Sequence, residues 1–144
     1  MIENRQARFN YYITDTCEVG IILTGPEVKA IRAGKITIAE SYVHVDEGEL
    51  WLVNATINSI QGMAFDLQNP KRKRKLLAKK KQICKFHAEV QRNGMTIVPL
   101  KMYFNDKGIL KVLIGLGKGK NNRDKRDTIM DREWKIKQAR LLKH

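Results

Sequence analysis

The chain has 144 residues, of which 28 are Lys or Arg and 15 are Asp or Glu, so its formal net charge is +13. This length suits one domain with a buried core, and an apolar content of 42% is too high for a wholly disordered chain. No apolar run is long enough to cross a bilayer, and the first residues lack the apolar stretch of a secretory signal. We therefore expect a soluble cytoplasmic protein that binds an anionic partner and has no membrane association.

The first elements predicted along the chain are a β-hairpin and a short helix. Residues 9–13 and 18–23 have β propensity, and Thr14-Asp15-Thr16 between them is typical of a turn. A helix is predicted over residues 25–34, because a proline suits its first turn and the closing glycine suits its end.

A second hairpin is predicted in the middle of the chain. Residues 42–46 and 49–53 flank Glu47-Gly48, which is a compact turn, and residues 55–60 are expected to extend the same sheet. After an irregular stretch and a basic block, a helix is indicated by Ile83, Phe86 and Val90 at helical spacing, with Gly94 as its end.

The strongest strand signals are residues 96–104 and 109–114, which a hairpin loop over residues 105–108 joins. Pro99 predicts an edge or a bulge in the first of these strands. Residues 117–127 contain no apolar side chain, so we expect them to lie outside the core and to be mobile.

The end of the chain predicts a basic, weakly amphipathic helix. Thr128 and Asp131 have the spacing of a capping box, and Met130, Trp134, Lys137 and Leu141 then fall on one stripe.

About six short strands with few helices predict a mainly β fold, a small antiparallel barrel of the OB type. The interior is expected to contain Ile13, Ile22, Val43, Leu52, Ile97, Leu100, Val112 and Ile114.

The positive charge is concentrated in two segments. Residues 71–85 hold nine Lys or Arg and no acid, residues 118–144 hold ten against four acids, and residues 1–70 are net acidic. Lysines and arginines that contact phosphates release condensed counterions, so this distribution favours a nucleic-acid partner. The alternative is a solvated, basic helix face.

The sequence contains no pattern of catalytic or metal-binding residues. Cys17 and Cys84 form no CxxC pair, the three histidines are scattered, and no zinc or nucleophile motif is present. We therefore predict a binding protein rather than an enzyme, with no cofactor and no metal. Stacking platforms for RNA bases are available at Tyr11, Tyr12, Trp51 and Trp134; aromatics in strands usually join the core, which favours Trp134.

Several ordered strings resemble one family. They are Asn4-Arg-Gln-Ala-Arg-Phe-Asn-Tyr-Tyr-Ile13, residues 18–23, residues 25–35 with Ser41-Tyr42, residues 72–77, residues 96–103, Gly117-Lys-Gly-Lys120 and Asp124-Lys-Arg126. Their ordered set, from residue 4 to the end, is similar to the SsrA-binding protein (SmpB) family.

The resemblance implies an OB-fold barrel of six antiparallel strands with about three helices in residues 1–117, and a tail over residues 118–144 that is mobile when free and helical on the ribosome. It implies binding to the tRNA-like domain of transfer-messenger RNA (tmRNA) and its delivery to stalled ribosomes in trans-translation. The tail then occupies the messenger channel near the decoding centre. Alanyl-tRNA synthetase and elongation factor Tu are implied as indirect partners.

The resemblance also implies which residues act. RNA contacts fall on Asn4, Glu18, Leu77, Lys79, Lys111 and Lys118, and ribosome contacts of the tail fall on Lys120, Arg123, Asp124, Lys125, Arg126, Trp134, Leu141 and Leu142. The chain departs from the family pattern at Asn121, where a lysine is frequent, and at Arg123, where a stacking histidine is frequent. Arginine can also stack on a base.

Two other functions remain open from the residues alone. A generic OB-fold protein that binds single-stranded nucleic acid would have the same barrel and charge. An RNA-processing enzyme would use carboxylates on the barrel.

Overall fold

A computed structural model describes residues 1–58, 69–120 and 122–142. The strands are β1 (Ile2–Glu3), β2 (Tyr11–Ile21), β3 (Ile36–Thr37), β4 (Tyr42–Asp46), β5 (Glu49–Val53), β6 (Thr56–Ile57), β7 (Arg74–Leu77), β8 (Thr96–Phe104) and β9 (Leu110–Gly119). The helices are α1 (Arg5–Asn10), α2 (Gly25–Arg32), α3 (Lys80–Asn93) and α4 (Asn122–Leu142).

Six antiparallel strands form a closed ring in the order β8-β4-β5-β7-β2-β9, because β9 pairs back onto β8. The short β1 pairs with β8, and β3 pairs with β6 in a separate two-stranded sheet. Closure of the ring pairs the edges that an open sheet would expose. The predicted six-stranded, OB-like barrel is confirmed, and three of the four described helices, α1 to α3, lie within residues 1–117 as expected, whereas α4 lies in the tail.

Most of the predicted interior is buried. Val43, Leu52, Ile97, Val112 and Ile114 belong to the main core of the barrel. Leu100 is also buried, but it lies in a smaller cluster with Ala7 and Val98, where α1 covers β8. The barrel therefore has a main core and a minor one.

The prediction of an interior position is wrong for two residues. Ile22 is 48% exposed, because β2 ends at Ile21 and the chain has left the sheet. Ile13 is half-buried and packs against the minor cluster instead of the main core.

The predicted first hairpin is wrong, because Thr14-Asp15-Thr16 lies inside one long strand. β2 runs unbroken from Tyr11 to Ile21, and β9 pairs with it along this length. A shift of register between Ile13 and Asp15 marks a β-bulge, which lets the strand curve around the barrel. Thr14 and Thr16 are exposed, so residues that resemble a turn are the outward side chains of this strand.

Four other local predictions are confirmed, namely the helix after residue 24, the Glu47-Gly48 turn, the end of α3 at Gly94 and the bulge at Pro99. Thr24 and Glu27 form a reciprocal capping box at the start of α2. Glu47 and Gly48 both have positive φ, as the tight turn between β4 and β5 requires. α3 ends at Gly94 in the left-handed conformation, and β8 has a bulge just after Pro99.

The predicted extension of the second hairpin over residues 55–60 is wrong for the part that the structure describes. Asn54 has a φ of 66°, which turns the chain away from β5, so Thr56 and Ile57 pair with β3 instead. Residues 59 and 60 lie outside the described residues.

The glycines near the end of β9 correct the predicted start of the mobile segment. Gly117 is buried, and β9 continues through Lys118 to Gly119, which pairs with Tyr11. Residues without apolar side chains can thus belong to the barrel, because here a glycine lets two strands approach closely.

We expect Gly117→Ala to lower the free energy of unfolding by about 1–3 kcal/mol through overpacking. A Cβ atom at Gly117 would lie 2.7 Å from Cβ of Tyr11. The matched control is Gly119→Ala, since a Cβ atom there meets no heavy atom of the described chain within 4 Å. Chemical denaturation measures both variants, and equal stability of the two would contradict this account.

α4 begins at Asn122, six residues before the predicted start, so Thr128 and Asp131 lie inside the helix and form no cap at its start. Arg and Lys have high helix propensity, and the charged residues before Thr128 therefore extend the helix toward the barrel.

Candidate nucleic-acid interface

Four of the six predicted RNA contacts line one open groove. Glu18 comes from β2, Leu77 from β7, Lys79 from the start of α3 and Lys111 from β9. The groove has a volume of about 690 Å³. Residues separated by up to 93 positions along the chain thus face one surface, which we call the recognition groove.

The pairing of three neighbouring strands explains why these residues meet. Gly20 of β2 pairs with Leu77 on one side and with Lys111 on the other. Directly paired residues project to the same face, so Leu77 and Lys111 flank a position that has no side chain. Leu77 is 51% exposed, and an exposed leucine beside a lysine can contact both a base and a phosphate.

Glu18 lies two residues before Gly20 and therefore on the same face. Its carboxylate is exposed and accepts a hydrogen bond from the Tyr103 hydroxyl. Tyr103 in turn pairs with Lys111, and Nζ of Lys101 lies 5.3 Å from the centre of its ring. The sequence did not predict this hydrogen bond of Glu18; the register between β8 and β9 places Tyr103 beside Lys111.

The start of α3 adds to the positive charge of the recognition groove. Lys79 is the N-cap residue, Lys80 and Lys81 follow it, and the first turn contains no acid. The N-terminal end of a helix already carries a partial positive charge, so lysines there concentrate positive potential. Such a helix end attracts phosphate groups.

Two arginines of the basic block pair with a buried carboxylate, and neither lines the groove. Glu27 is 2% exposed and forms ion pairs with Arg72 and Arg74, the latter at 2.7 Å between Oε2 and Nε. The guanidinium of Arg74 is buried and also donates to the backbone oxygens of Ala55 and Pro70. The barrel thus contains a satisfied, buried charge cluster.

Burial alone would raise the pKa of the Glu27 carboxyl, but its hydrogen bonds outweigh that effect. Arg72, the backbone N–H of Thr24 and Arg74 all donate to it, and together they hold its pKa below the usual range. Glu27 is therefore ionised at neutral pH and ties α2 to β7.

Other cations of residues 71–85 find acids from distant parts of the chain. Nζ of Lys85 lies 2.7 Å from Asp15, and Nζ of Lys75 lies 3.7 Å from Glu49. The hydrogen bond and charge of Lys85 lower the pKa of the Asp15 carboxyl. The block has no acid in its own sequence, but the fold partly compensates its charge.

The remaining predicted RNA contacts lie away from the recognition groove. The Asn4 side chain is buried; it donates to the backbone oxygens of Ile38 and Pro99 and accepts from the N–H of Ala7. Lys118 is exposed but lies seven residues along β9 from Lys111, a distance of about 23 Å. Asn4 therefore joins the start of α1 to β8 and to the residue that follows β3.

The first predicted tail residue, Lys120, is attached to the barrel. Its N–H donates to the oxygen of Asn10 over 2.8 Å, and its Nζ lies 4.7 Å from the centre of the Tyr12 ring. Beyond it, Lys125 and Arg132 of α4 each lie 5.9 Å from the ring centre of Phe9.

The rest of α4 presents exposed side chains. Arg126, Trp134 and Leu141 are exposed. The four residues of the predicted stripe, Met130, Trp134, Lys137 and Leu141, all lie within α4. Asn121 and the side chains of Arg123, Asp124 and Leu142 lie outside the described residues.

Within the ranges described, no helix is both long and apolar enough to span a membrane. Over the same ranges, no three His, Cys, Asp or Glu side chains are grouped so that they could hold a metal ion. Cys17 is buried and Cys84 exposed, and both thiols are free.

Comparison with known proteins gives a consistent result. The family model of the SmpB protein matches residues 1–144. A protein named SsrA-binding protein from Rhodopseudomonas palustris (strain HaA2) is 55% identical over 142 residues, which cover 98% of this chain and 90% of the relative. An SsrA-binding protein from Bradyrhizobium diazoefficiens is 54% identical over 144 residues, covering 99% and 91%.

A solved structure described as "tmRNA-SmpB: a journey to the center of the bacterial ribosome" is also similar. It matches with a TM-score of 0.70 and 41% sequence identity, and the match covers 89% of this chain and 93% of that one.

Proposed function

The chain belongs to the SmpB family, and on this premise we propose that it binds the tRNA-like domain of tmRNA and delivers that RNA to stalled ribosomes in trans-translation. The observation that supports this most is the recognition groove, where Glu18, Leu77, Lys79 and Lys111 converge. A carboxylate there accepts from base or sugar donors, lysines bind phosphates, and Leu77 packs on an unstacked base.

We further propose a division of labour within the chain. The barrel binds the RNA, and α4 with the residues after it enters the messenger channel near the decoding centre. The sequence predicted the boundary after residue 117; the pairing of Lys118 and Gly119 and the bond from Lys120 to Asn10 support a boundary after Lys120. The proposed tail contacts beyond that boundary are Arg123, Asp124, Lys125, Arg126, Trp134, Leu141 and Leu142.

The proposal assigns this chain an accessory role without a reaction of its own. The family resemblance supports indirect partnership with alanyl-tRNA synthetase, which charges the RNA, and with elongation factor Tu, which carries it. A ribosome-associated role also implies residence in the cytoplasm.

A binding competition tests the function. The purified chain is titrated with labelled tRNA-like domain of tmRNA, and unlabelled tRNA-like domain or an unstructured oligonucleotide of equal length competes. We expect the structured RNA to compete at a concentration at least about tenfold lower, a difference of about 1.4 kcal/mol. Equal competition by both RNAs would favour the generic single-strand binder.

Side-chain changes in the recognition groove test the site itself. We expect Glu18→Gln and Leu77→Ala each to weaken binding of the tRNA-like domain roughly 5- to 100-fold, a loss of about 1–3 kcal/mol. Glu18→Gln removes the charge and replaces one acceptor oxygen by an NH2 donor, and Leu77→Ala removes the apolar contact with a base. Fluorescence anisotropy of labelled RNA measures the affinity.

Two controls separate recognition from structure and from charge. Tyr103→Phe removes the hydroxyl that donates to Glu18 and leaves the carboxylate in place, so we expect it to retain RNA binding. Lys107→Ala removes an exposed lysine from the turn between β8 and β9 that is not among the residues lining the groove. Losses as large in these controls as in Glu18→Gln would contradict the assignment.

A further inference from the structure

The outer face of β4, β5 and β7 carries a row of polar and aromatic side chains. The register pairs His44 with Trp51 and Trp51 with Lys75, so the three side chains project to the same face of adjacent strands. Their neighbours Val43 and Leu52, which alternate with them, are buried in the core. Trp51 therefore lies on the outside of the barrel and is half-buried there.

One face of the Trp51 ring already contacts the side-chain ammonium group of a lysine. Nζ of Lys73 lies 4.5 Å from the ring centre, and Lys73 itself is exposed. An exposed cation–π contact contributes about 0.5–1 kcal/mol. Stacking of a nucleic-acid base on an aromatic side chain contributes about 1–3 kcal/mol. A base that displaces Lys73 from the ring would therefore gain more than the contact it replaces.

The row continues directly into the recognition groove. Lys75 and Glu49 both line the groove, and their ion pair is long, 3.7 Å, and partly exposed. Exposed pairs of this kind contribute little to stability, so Lys75 can exchange Glu49 for a phosphate at small cost. Nucleotides that leave the groove along β7 would meet Lys75 first, then Trp51, and then the exposed imidazole of His44.

We propose that this row, composed of His44, Trp51, Lys73 and Lys75 and called the stacking row below, is a second RNA contact that binds an unpaired nucleotide of the same RNA. The base stacks on Trp51 beside His44, and the adjoining phosphates bind Lys73 and Lys75. This assignment rests on the proposed function and extends the interface from the recognition groove across β7 and β5 to β4.

The two tryptophans of the chain make the proposal testable by fluorescence. In a Trp134→Phe chain, Trp51 is the only indole. We expect its emission to be quenched during titration with the tRNA-like domain of tmRNA, with the same midpoint as the anisotropy of the labelled RNA. We also expect Trp51→Ala to weaken binding roughly 5- to 100-fold, as the loss of one stacked base implies.

Two further variants keep the test valid if Trp51→Ala folds poorly. His44 is exposed, so His44→Ala should fold normally and weaken binding, whereas Trp51→Phe should recover most of the affinity lost in Trp51→Ala. Lys73→Ala should weaken binding more than Lys107→Ala, which removes the same charge from the β8–β9 turn, outside the strands that carry the row.

The outcomes separate this proposal from the function on which it rests. RNA binding with unchanged Trp51 emission and normal affinity in His44→Ala and Trp51→Ala would overturn the row and leave the proposed function intact. Failure of the unaltered chain to bind the RNA at all would overturn both. Quenching together with the ordered losses would establish the second contact.

Discussion

A chain that ends at Lys120 is expected to bind tmRNA within about tenfold of the full chain, less than about 1.4 kcal/mol, and to lose tagging of stalled nascent proteins. The recognition groove and the stacking row both lie before residue 120 and remain in the shortened chain. The exposed apolar and basic side chains of α4, which we propose for the ribosome, are removed.

Two measurements check this separation. RNA affinity is measured at about 0.1 M salt, where the screening length of about 10 Å limits the long-range contribution of the lost charges. Tagging is measured in a translation extract on a message without a stop codon. A shortened chain that still supports tagging, or one that fails to bind the RNA, would contradict the proposed division.

Single changes within α4 refine the same test. Trp134 and Ile136 are both exposed apolar residues, and they point to opposite sides of the helix because two positions correspond to about 200° of rotation. We expect Trp134→Ala to reduce tagging strongly and Ile136→Ala to reduce it little. Neither change should alter RNA binding or the free energy of unfolding.

Glu27→Ala is expected to lower the free energy of unfolding by about 3–5 kcal/mol, because it leaves the buried Arg74 without its carboxylate. Total stabilities of domains are about 5–15 kcal/mol, so this variant would be close to unfolding. Urea denaturation followed by circular dichroism measures the effect. Glu49→Ala, which breaks the exposed pair with Lys75, is the matched control and should cost less than about 1 kcal/mol.

The same cluster predicts how stability depends on pH. The folded-state pKa of Glu27 is lowered, so its contribution is fully present above the unfolded pKa of about 4.3 and is lost as the pH falls through the folded value. We therefore expect the stability difference between the unaltered chain and Glu27→Gln to be constant near neutrality and to shrink below about pH 4. A difference that is independent of pH would contradict the assignment.

Local signals predicted the two hairpins at Glu47-Gly48 and at residues 105–108, because the turn chemistry is contained in a few adjacent residues. The Asn105 side chain accepts from the N–H groups of Lys107 and Ile109, which fixes the second turn from within. Such turns need no knowledge of the rest of the chain.

Predictions from adjacent residues were wrong where the structure depends on pairing between distant parts of the chain. Thr14-Asp15-Thr16 has turn composition, and only the pairing with β9 shows that it is part of a strand. β7 was not predicted, because its residues lie within a run of basic side chains. Arg74 is nevertheless buried, since it forms an ion pair with the Glu27 carboxylate of α2. Counting charges along the sequence could not anticipate a partner 47 positions away.

The recognition groove could be predicted in its members but not in its shape. Family resemblance identified Glu18, Leu77, Lys79 and Lys111, whereas the register of β7, β2 and β9 places them side by side. Trp51 of the stacking row was a candidate platform by residue type alone. Only the register of β4, β5 and β7 shows that its side chain lies on the outer face of the barrel.

The attachment of Lys120 to Asn10, together with the helical form of α4, gives the tail a defined reach. At 1.5 Å per residue, the 21-residue α4 is about 30 Å long, and Leu141 lies about 14 Å along the helix beyond Arg132, which still contacts Phe9 of α1. In the function proposed above, the length of α4 would set the distance between the RNA-binding barrel and the tip of the tail. One inserted residue would shift the tip by about 1.5 Å and rotate it by about 100°. The position of Leu141 therefore depends on the number of residues in this segment as well as on their type.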